Sequence, residues 1–285
     1  MDDLSDKRDL LLAVLASLGR VAVAFSGGVD SAVVAKAAAI ALGADAVAVT
    51  ADSPSVPRAE LAEAVTLADS IGIRHLVVRT AEFDDPAYAA NDGARCYFCK
   101  TELYNRIESL LPELGIDTIC SGANLDDAGD YRPGLMAAAE HHVRHPLQEA
   151  GFTKADVREL AKQWRLPVWD KPASPCLSSR LAPGLAVTPE RTLRIERAET
   201  FLRELGMRVC RVRYHEGDLA RIEVEPEQLE RLAGSVLRKR IDEEFRRIGF
   251  RFVSLDLTGF QSGSLNQLVP LELKMKFAAT PGGRP

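Results

Sequence analysis

The stretch Val21–Ser31, VAVAFSGGVDS, constrains this chain more than any other. Its first five residues are apolar, with valine at alternate positions, the pattern of a strand buried on both faces. The run stops on Ser26-Gly27-Gly28. From Val29 to Leu42 the apolar positions recur at helical spacing, and Gly43 ends them. A strand that feeds a helix through a glycine pair opens a βαβ unit, whose strands pair in parallel and carry helices on their faces.

The first two-thirds of the chain repeat that alternation. Strands are predicted at Ala46–Thr50, His75–Thr80 and Asp117–Ser121, and helices at Asp6–Leu18, Arg58–Ile71 and near Lys100–Leu111. Around Trp169–Val187 a stretch rich in Pro, Ser and Gly breaks the pattern. Beyond it come a helix (Pro189–Leu205), two strands (Arg208–Tyr214, Leu219–Val224), a helix near Ser235–Gly249 and a strand (Arg251–Asp256). The expected fold is therefore α/β, a Rossmann-like parallel-sheet domain over 1–187 followed by a small α+β domain over 188–275. The αββαβ order of the latter fits a ferredoxin-like unit or a swapped variant, and residues 276–285 are expected to fray.

The junction at Ser26-Gly27-Gly28-Val29-Asp30-Ser31 is suited to phosphate. Glycines let the backbone approach an anion, and the helix that follows offers free N–H groups and the positive end of its dipole. Ser26 and Ser31 add hydroxyls. Asp30 is out of place beside phosphate unless Mg²⁺ bridges the two, so it is the expected metal ligand. The loop lacks the spacing and the lysine of a Walker A motif. SGGVDS resembles the PP-loop signature of the adenine-nucleotide α-hydrolase fold, which includes NAD synthetase, GMP synthetase, argininosuccinate synthetase and tRNA-thiolating enzymes. The resemblance implies ATP cleavage between the α- and β-phosphates, with AMP passed to a substrate. Thr50 and Asp52, at the end of the second strand, match where that fold contacts adenosine.

Composition narrows the setting. The chain is 46% apolar and 27% charged with a net charge of −5, which suits a globular protein and argues against wide electrostatic capture of nucleic acid. The acidic start MDDLSDK does not read as an export signal, and the apolar stretch from Val21 to Thr50 is broken by Ser26, Asp30, Ser31, Lys36 and Asp45. A cytoplasmic location without membrane contact is expected. There are five cysteines, an odd number. Free thiols, a metal or catalysis are then better expectations than a disulfide framework.

Cys176 stands in a proline-stiffened loop, DKPASPCLSSR, with Arg180 close behind; that setting suits a reactive thiol better than a packed one. Cys120 and Cys210 fall in strand patterns and read as core. Arg211 and Arg213 alternate on one strand and share a face. They fit either pairing with Glu223 or Glu225 on the neighbouring strand or recognition of a phosphate. His215, in a turn, reads as a surface residue.

Taken together, SGGVDS, RCYFCK, GANLDDAGDYRPG, KPASPCLSSR and RVRYHEGDLARIEV resemble the LarE family, from the first strand to about Asp256. These sulfurtransferases build the nickel-pincer cofactor of lactate racemase. The resemblance implies a homo-oligomer, a hexamer in that family, acting on a small-molecule pyridinium mononucleotide. It implies that ATP·Mg²⁺ adenylates a carboxylate of pyridinium-3,5-biscarboxylic acid mononucleotide and that sulfur from Cys176 displaces AMP. Cys176 would be left as dehydroalanine. In an alternative, Cys96, Cys99 and Cys176 hold a [4Fe–4S] cluster that carries the sulfur. The implied nucleotide set is Ser26, Gly27, Gly28, Val29, Asp30, Ser31, Thr50, Asp52, Asn124, Asp127, Arg132 and Arg180. Around the reactive cysteine it is Arg211 and Arg213, oriented by Glu199 and Glu223. The competing expectations are a tRNA-thiolating PP-loop enzyme and an ammonia-using PP-loop ligase.

Overall fold

The computed structural model describes residues 3–127, 133–261 and 265. Arg132 and the tail 276–285 lie outside the described residues. In chain order the elements are α1 (Leu4–Ser17), β1 (Val21–Ala24), α2 (Val29–Leu42), β2 (Ala46–Asp52), α3 (Arg58–Ile71), β3 (Arg74–Arg79), α4 (Pro86–Ala89), α5 (Arg95–Leu114) and β4 (Thr118–Cys120). There follow α6 (Pro133–Glu140), α7 (Pro146–Glu149), α8 (Lys154–Gln163), α9 (Pro189–Glu204), β5 (Cys210–His215), β6 (Leu219–Val224), α10 (Leu229–Ala233), α11 (Ser235–Ile248) and β7 (Phe252–Leu255). They fall into two units. Of the described residues, one takes those up to Glu82 together with Cys96–Ser174, and the other takes Phe83–Arg95 and those from Pro175 on.

The first unit is built on a four-stranded parallel sheet in the order β3-β2-β1-β4. Successive side chains of a strand point to opposite faces, and β1 feeds two cores accordingly. Val21 and Val23 pack with Leu11, Leu15, Ala35, Ala68, Leu160 and their neighbours from α1, α2, α3 and α8. Ala22 and Ala24 pack on the other face with Leu103, Tyr104 and Ile107 of α5 and Ala137 and Ala138 of α6. β1 has β2 on one side and β4 on the other, so the strand order reverses there. A crevice opens at the carboxyl ends of strands at such a point, which is where Ser26–Ser31 sits.

Every predicted strand and helix is present and in the predicted order, while α4, α6, α7, α8 and α10 are additions to the predicted set. Helix α5 starts at Arg95, so Cys96 and Cys99 lie inside it rather than ahead of it. The start comes early because the Asp92 carboxylate accepts the Ala94 N–H at 3.0 Å and nucleates the turn. Helix α8 is opened by a reciprocal box in which Thr153 Oγ1 accepts the Asp156 N–H and the Asp156 carboxylate accepts the Thr153 N–H.

In the second unit β5 and β6 form an antiparallel hairpin and β7 pairs with β6 in parallel. The sheet is mixed, where a ferredoxin-like unit is wholly antiparallel. The chain leaves β6 through α10 and α11 and returns beside it in the same direction, as a helical crossover requires. The segment Phe83–Arg95 braces this unit: Tyr88 and Ser178 share a buried hydrogen bond of 2.8 Å, and Asn91 Nδ2 donates to the carbonyls of Ala182 and Leu185. Among the described residues no helix is long and apolar enough to cross a membrane.

Candidate active site

The phosphate loop closes on itself. The Ser26 N–H donates to Ser31 Oγ at 3.2 Å, Ser31 Oγ donates to the Gly28 carbonyl at 3.0 Å, and the Gly28 N–H donates to Ser26 Oγ at 3.3 Å. Gly28 is the N-cap of α2 and supplies no side chain to cover the helix start. The α2 dipole and its first N–H groups are thus presented to the loop. Two further glycines bring backbone close. Gly27 has φ +71°, and a Cβ there would stand 3.0 Å from the Ala64 Cβ of α3. Gly122, just after β4, approaches so closely that a Cβ would lie 2.7 Å from the Ser31 nitrogen. Such a cradle, with bare N–H groups and no room for a side chain at Gly122, fits the phosphates of a nucleotide.

Asp30, in the first turn of α2, is held from two sides. Its Oδ1 accepts from Asn124 Nδ2 at 3.0 Å and its Oδ2 from Lys154 Nζ at 2.5 Å. Asn124 is itself fixed: its N–H donates to Asp127 Oδ2, its Oδ1 accepts the Asp126 N–H, and its carbonyl accepts from Gln148. The expected ligands Asp30, Asn124 and Asp127 therefore meet in one network. Asp126, Gln148 and Lys154 are its members that the sequence reading missed, and Lys154 is the one that brings a positive charge. The available signal was the Thr153–Asp156 box, which marks a helix start with a lysine in first position.

Thr50 and Asp52 have settled partners. Thr50 is buried, and its hydroxyl donates to the Phe25 carbonyl at 2.7 Å. Its one proton being spent there, the 2.8 Å contact with His75 must be donated by Nε2–H. Burial pushes the His75 pKa down, against a smaller upward pull from Asp69, which suits the neutral ring. Asp52 pairs with Arg58 at 2.5 Å beside a depression of about 290 Å³ lined by Asp52, Ser53, Pro54, Arg58, Arg79 and Thr80. Next to it the buried Glu82 accepts from Ser55 at 3.5 Å through one oxygen, while its Oε2 and the Thr80 hydroxyl have no partner among the described residues.

In the second unit the backbone at Cys176 is pinned. Its carbonyl accepts from the Ser179 N–H at 2.9 Å, Ser179 Oγ at 2.7 Å and Arg180 Nη1 at 2.9 Å. Arg180 is 1% exposed; it also donates to the Pro175 carbonyl and forms an ion pair of 3.0 Å with Glu199. Glu199, fully buried, further accepts from Arg203 and from the Val212 N–H. It thus orients Arg180 and Arg203. Arg213 pairs with Glu223 at 2.8 Å, and Arg221 reaches the other oxygen of Glu223 at 3.0 Å. Arg211 has no salt bridge among the described residues and stacks over Phe260 at 5.3 Å. Burial holds its pKa below the usual arginine value, and the charge of Arg180 pushes the same way. Half-buried His215 accepts from Arg221 at 3.1 Å, and burial and then Arg221 lower its pKa.

The cysteines divide by environment. Cys120 and Cys210 are buried, and loss of hydration pushes both thiols up to about 12. Cys176 is half-buried. Cys96 is exposed and Cys99 half-buried, three positions apart on α5 in the first unit. Among the described residues no group of three or more His, Cys, Asp or Glu is gathered to hold a metal ion.

A parallel α/β sheet with a glycine-lined phosphate loop at the strand-order reversal defines a PP-loop nucleotide-using enzyme. Residues 13–107 match the NAD synthase family. The chain is 38% identical, over 93% of its length and 96% of the relative's, to the pyridinium-3,5-bisthiocarboxylic acid mononucleotide synthase of Lactiplantibacillus plantarum. It therefore belongs to the LarE family, within the ATP-using PP-loop class. It is also 46% identical over 93% of its length, and 99% of the relative's, to the uncharacterized Synechocystis protein slr1717. A shorter similarity, 33% over 54% of this chain and 49% of the relative, links it to the tRNA-specific 2-thiouridylase MnmA of Azorhizobium caulinodans.

Proposed function

We propose that this chain is a pyridinium-3,5-biscarboxylic acid mononucleotide sulfurtransferase that serves nickel-pincer cofactor assembly and, through it, lactate racemase maturation. The observation that carries the reading is the kinship with the L. plantarum synthase along nearly the whole chain. The phosphate loop and the braced Cys176 loop support it. Ser26–Ser31 and the start of α2 would hold the triphosphate, and Asp30, oriented by the Asn124 amide, would hold Mg²⁺. Bound there, Mg²⁺ supplies charge neutralisation on the phosphates. Adenylation turns a substrate carboxylate into an acyl-AMP whose leaving group is AMP.

The Cys176 thiolate would then attack the acyl carbon, forming a thioester and expelling AMP. Removal of the Cys176 α-proton drives the electron pair into a Cα–Cβ double bond and breaks Cβ–S. The products are a thiocarboxylate and dehydroalanine at position 176. Arg211, which forms no salt bridge among the described residues and is depressed by burial, would gain from an anion beside it; it is assigned with Arg213 to the substrate phosphate. Cys120 and Cys210, with thiols near 12, are unsuited to the nucleophilic role.

The test is the intact mass of anaerobically purified protein before and after ATP, Mg²⁺ and the pyridinium mononucleotide. Loss of the elements of H₂S, mapped to Cys176, is the expected result. Thiolated product from a polypeptide of unchanged mass would transfer the sulfur source to a cluster or a persulfide. Absence of pyrophosphate would overturn the ATP-dependent reading.

A further inference from the structure

We infer that Lys154 is a phosphate-binding residue that occupies Asp30 until a nucleoside triphosphate arrives with its divalent cation. The inference rests on the ATP-using reading above and adds to it a residue and an order of events. Lys154 is the first residue of α8, where the positive end of a helix dipole disfavours a cation. Its ammonium is compensated by Asp30, 2.5 Å away. Asp30 is the carboxylate beside the phosphate loop, and with Asn124 on its other oxygen it offers a lone cation no vacant oxygen pair.

The backbone of Lys154 is anchored while its side chain is not. Its N–H donates to Asp126 at 2.8 Å, and the Thr153–Asp156 box fixes the helix start. The side chain, 38% exposed, carries its charge on a flexible four-carbon stem. An ammonium that touches the metal-binding carboxylate is within a stem rotation of any phosphate oxygen bridged to that carboxylate by a cation. The exchange leaves every charge paired: the cation takes Asp30, and Lys154 takes phosphate and stays with the departing pyrophosphate. A purely structural ion pair would make no such exchange.

The test compares full-length wild type, Lys154→Gln and Lys154→Arg, with Mn²⁺ as the metal probe read by electron paramagnetic resonance and with calorimetric binding of pyrophosphate and AMP. Lys154→Gln is expected to weaken Mn²⁺–pyrophosphate binding about tenfold or more, to leave AMP affinity unchanged, and to bind Mn²⁺ alone more tightly than wild type. Lys154→Arg should keep pyrophosphate binding. Wild-type pyrophosphate affinity in Lys154→Gln, or equal losses for pyrophosphate and AMP, would overturn the inference while leaving the ATP reading intact. Wild type that binds neither ATP nor pyrophosphate would overturn both.

Discussion

Arg180 and Glu199 form an ion pair of 3.0 Å in which neither side chain is more than 1% exposed. The same guanidinium donates to the carbonyls of Pro175 and Cys176. One buried cation thus ties α9 to the loop that carries the candidate sulfur donor. Removing Arg180 takes from Glu199 its fully buried counter-ion, leaves it the half-exposed Arg203, and strips the loop carbonyls of a donor.

Arg180→Met should therefore destabilise the chain by about 3 kcal/mol or more, read as a lower urea midpoint. Arg180→Lys should recover part of that loss, because an ammonium retains the charge without the planar fork. A midpoint unchanged in Arg180→Met would show that the pair does not stabilise the unit.

At Gly122 a methyl group would arrive 2.7 Å from the Ser31 nitrogen and 2.9 Å from the Asp30 carbonyl carbon. Both are backbone atoms that cannot swing aside. Gly122→Ala should displace the phosphate loop, cost about 1–3 kcal/mol of stability, and abolish ATP-dependent pyrophosphate release. Retained release at the wild-type rate would contradict this account of the cradle.

Alkylation of the native protein with iodoacetamide at mildly alkaline pH should label Cys96, Cys99 and Cys176 and spare Cys120 and Cys210. Peptide mapping reads the pattern. The two spared thiols also set an alkaline limit. Their pKa is raised from 9.0 to about 12 in the folded chain, so the unfolded chain loses protons first. Their contribution to stability is complete below pH 9.0 and is lost as pH rises toward about 12. Cys210→Ala should flatten the fall of the urea midpoint over that window.

His75, His145 and His215 have pKa values depressed by burial from 6.5. As pH falls below 6.5 the unfolded chain binds protons that the folded chain refuses, so stability declines in the acid direction. The urea midpoint should fall between pH 7 and pH 5, and His75→Gln should reduce the slope. A slope unchanged by that substitution would remove His75 from the account.

The order of strands and helices was legible in the sequence because hydrophobic periodicity and glycine stops are local properties. The phosphate loop was legible for the same reason: SGGVDS, the strand before it and the helix after it are contiguous. Pairing of a β5 arginine with Glu223 was among the readings open from the sequence, but the choice of Arg213 was not: the hairpin register sets Arg211 opposite Glu223, and the ion pair forms on the diagonal with Arg213. The start of α5 was misplaced because a two-residue carboxylate turn at Asp92 decides it, and periodicity carries no trace of that.

Only the tertiary structure decided the long-range partners. Lys154 meets Asp30 across 124 positions because α8 packs on the same sheet face as α2, and no local pattern encodes that. The partners of Arg180 were likewise not legible: its guanidinium is buried on Glu199 and on the carbonyls of its own loop, a choice set by the packing of α9. Local sequence fixes which groups a chain possesses and which element carries each. Which of them face one another depends on how sheet order and helix packing bring distant segments together.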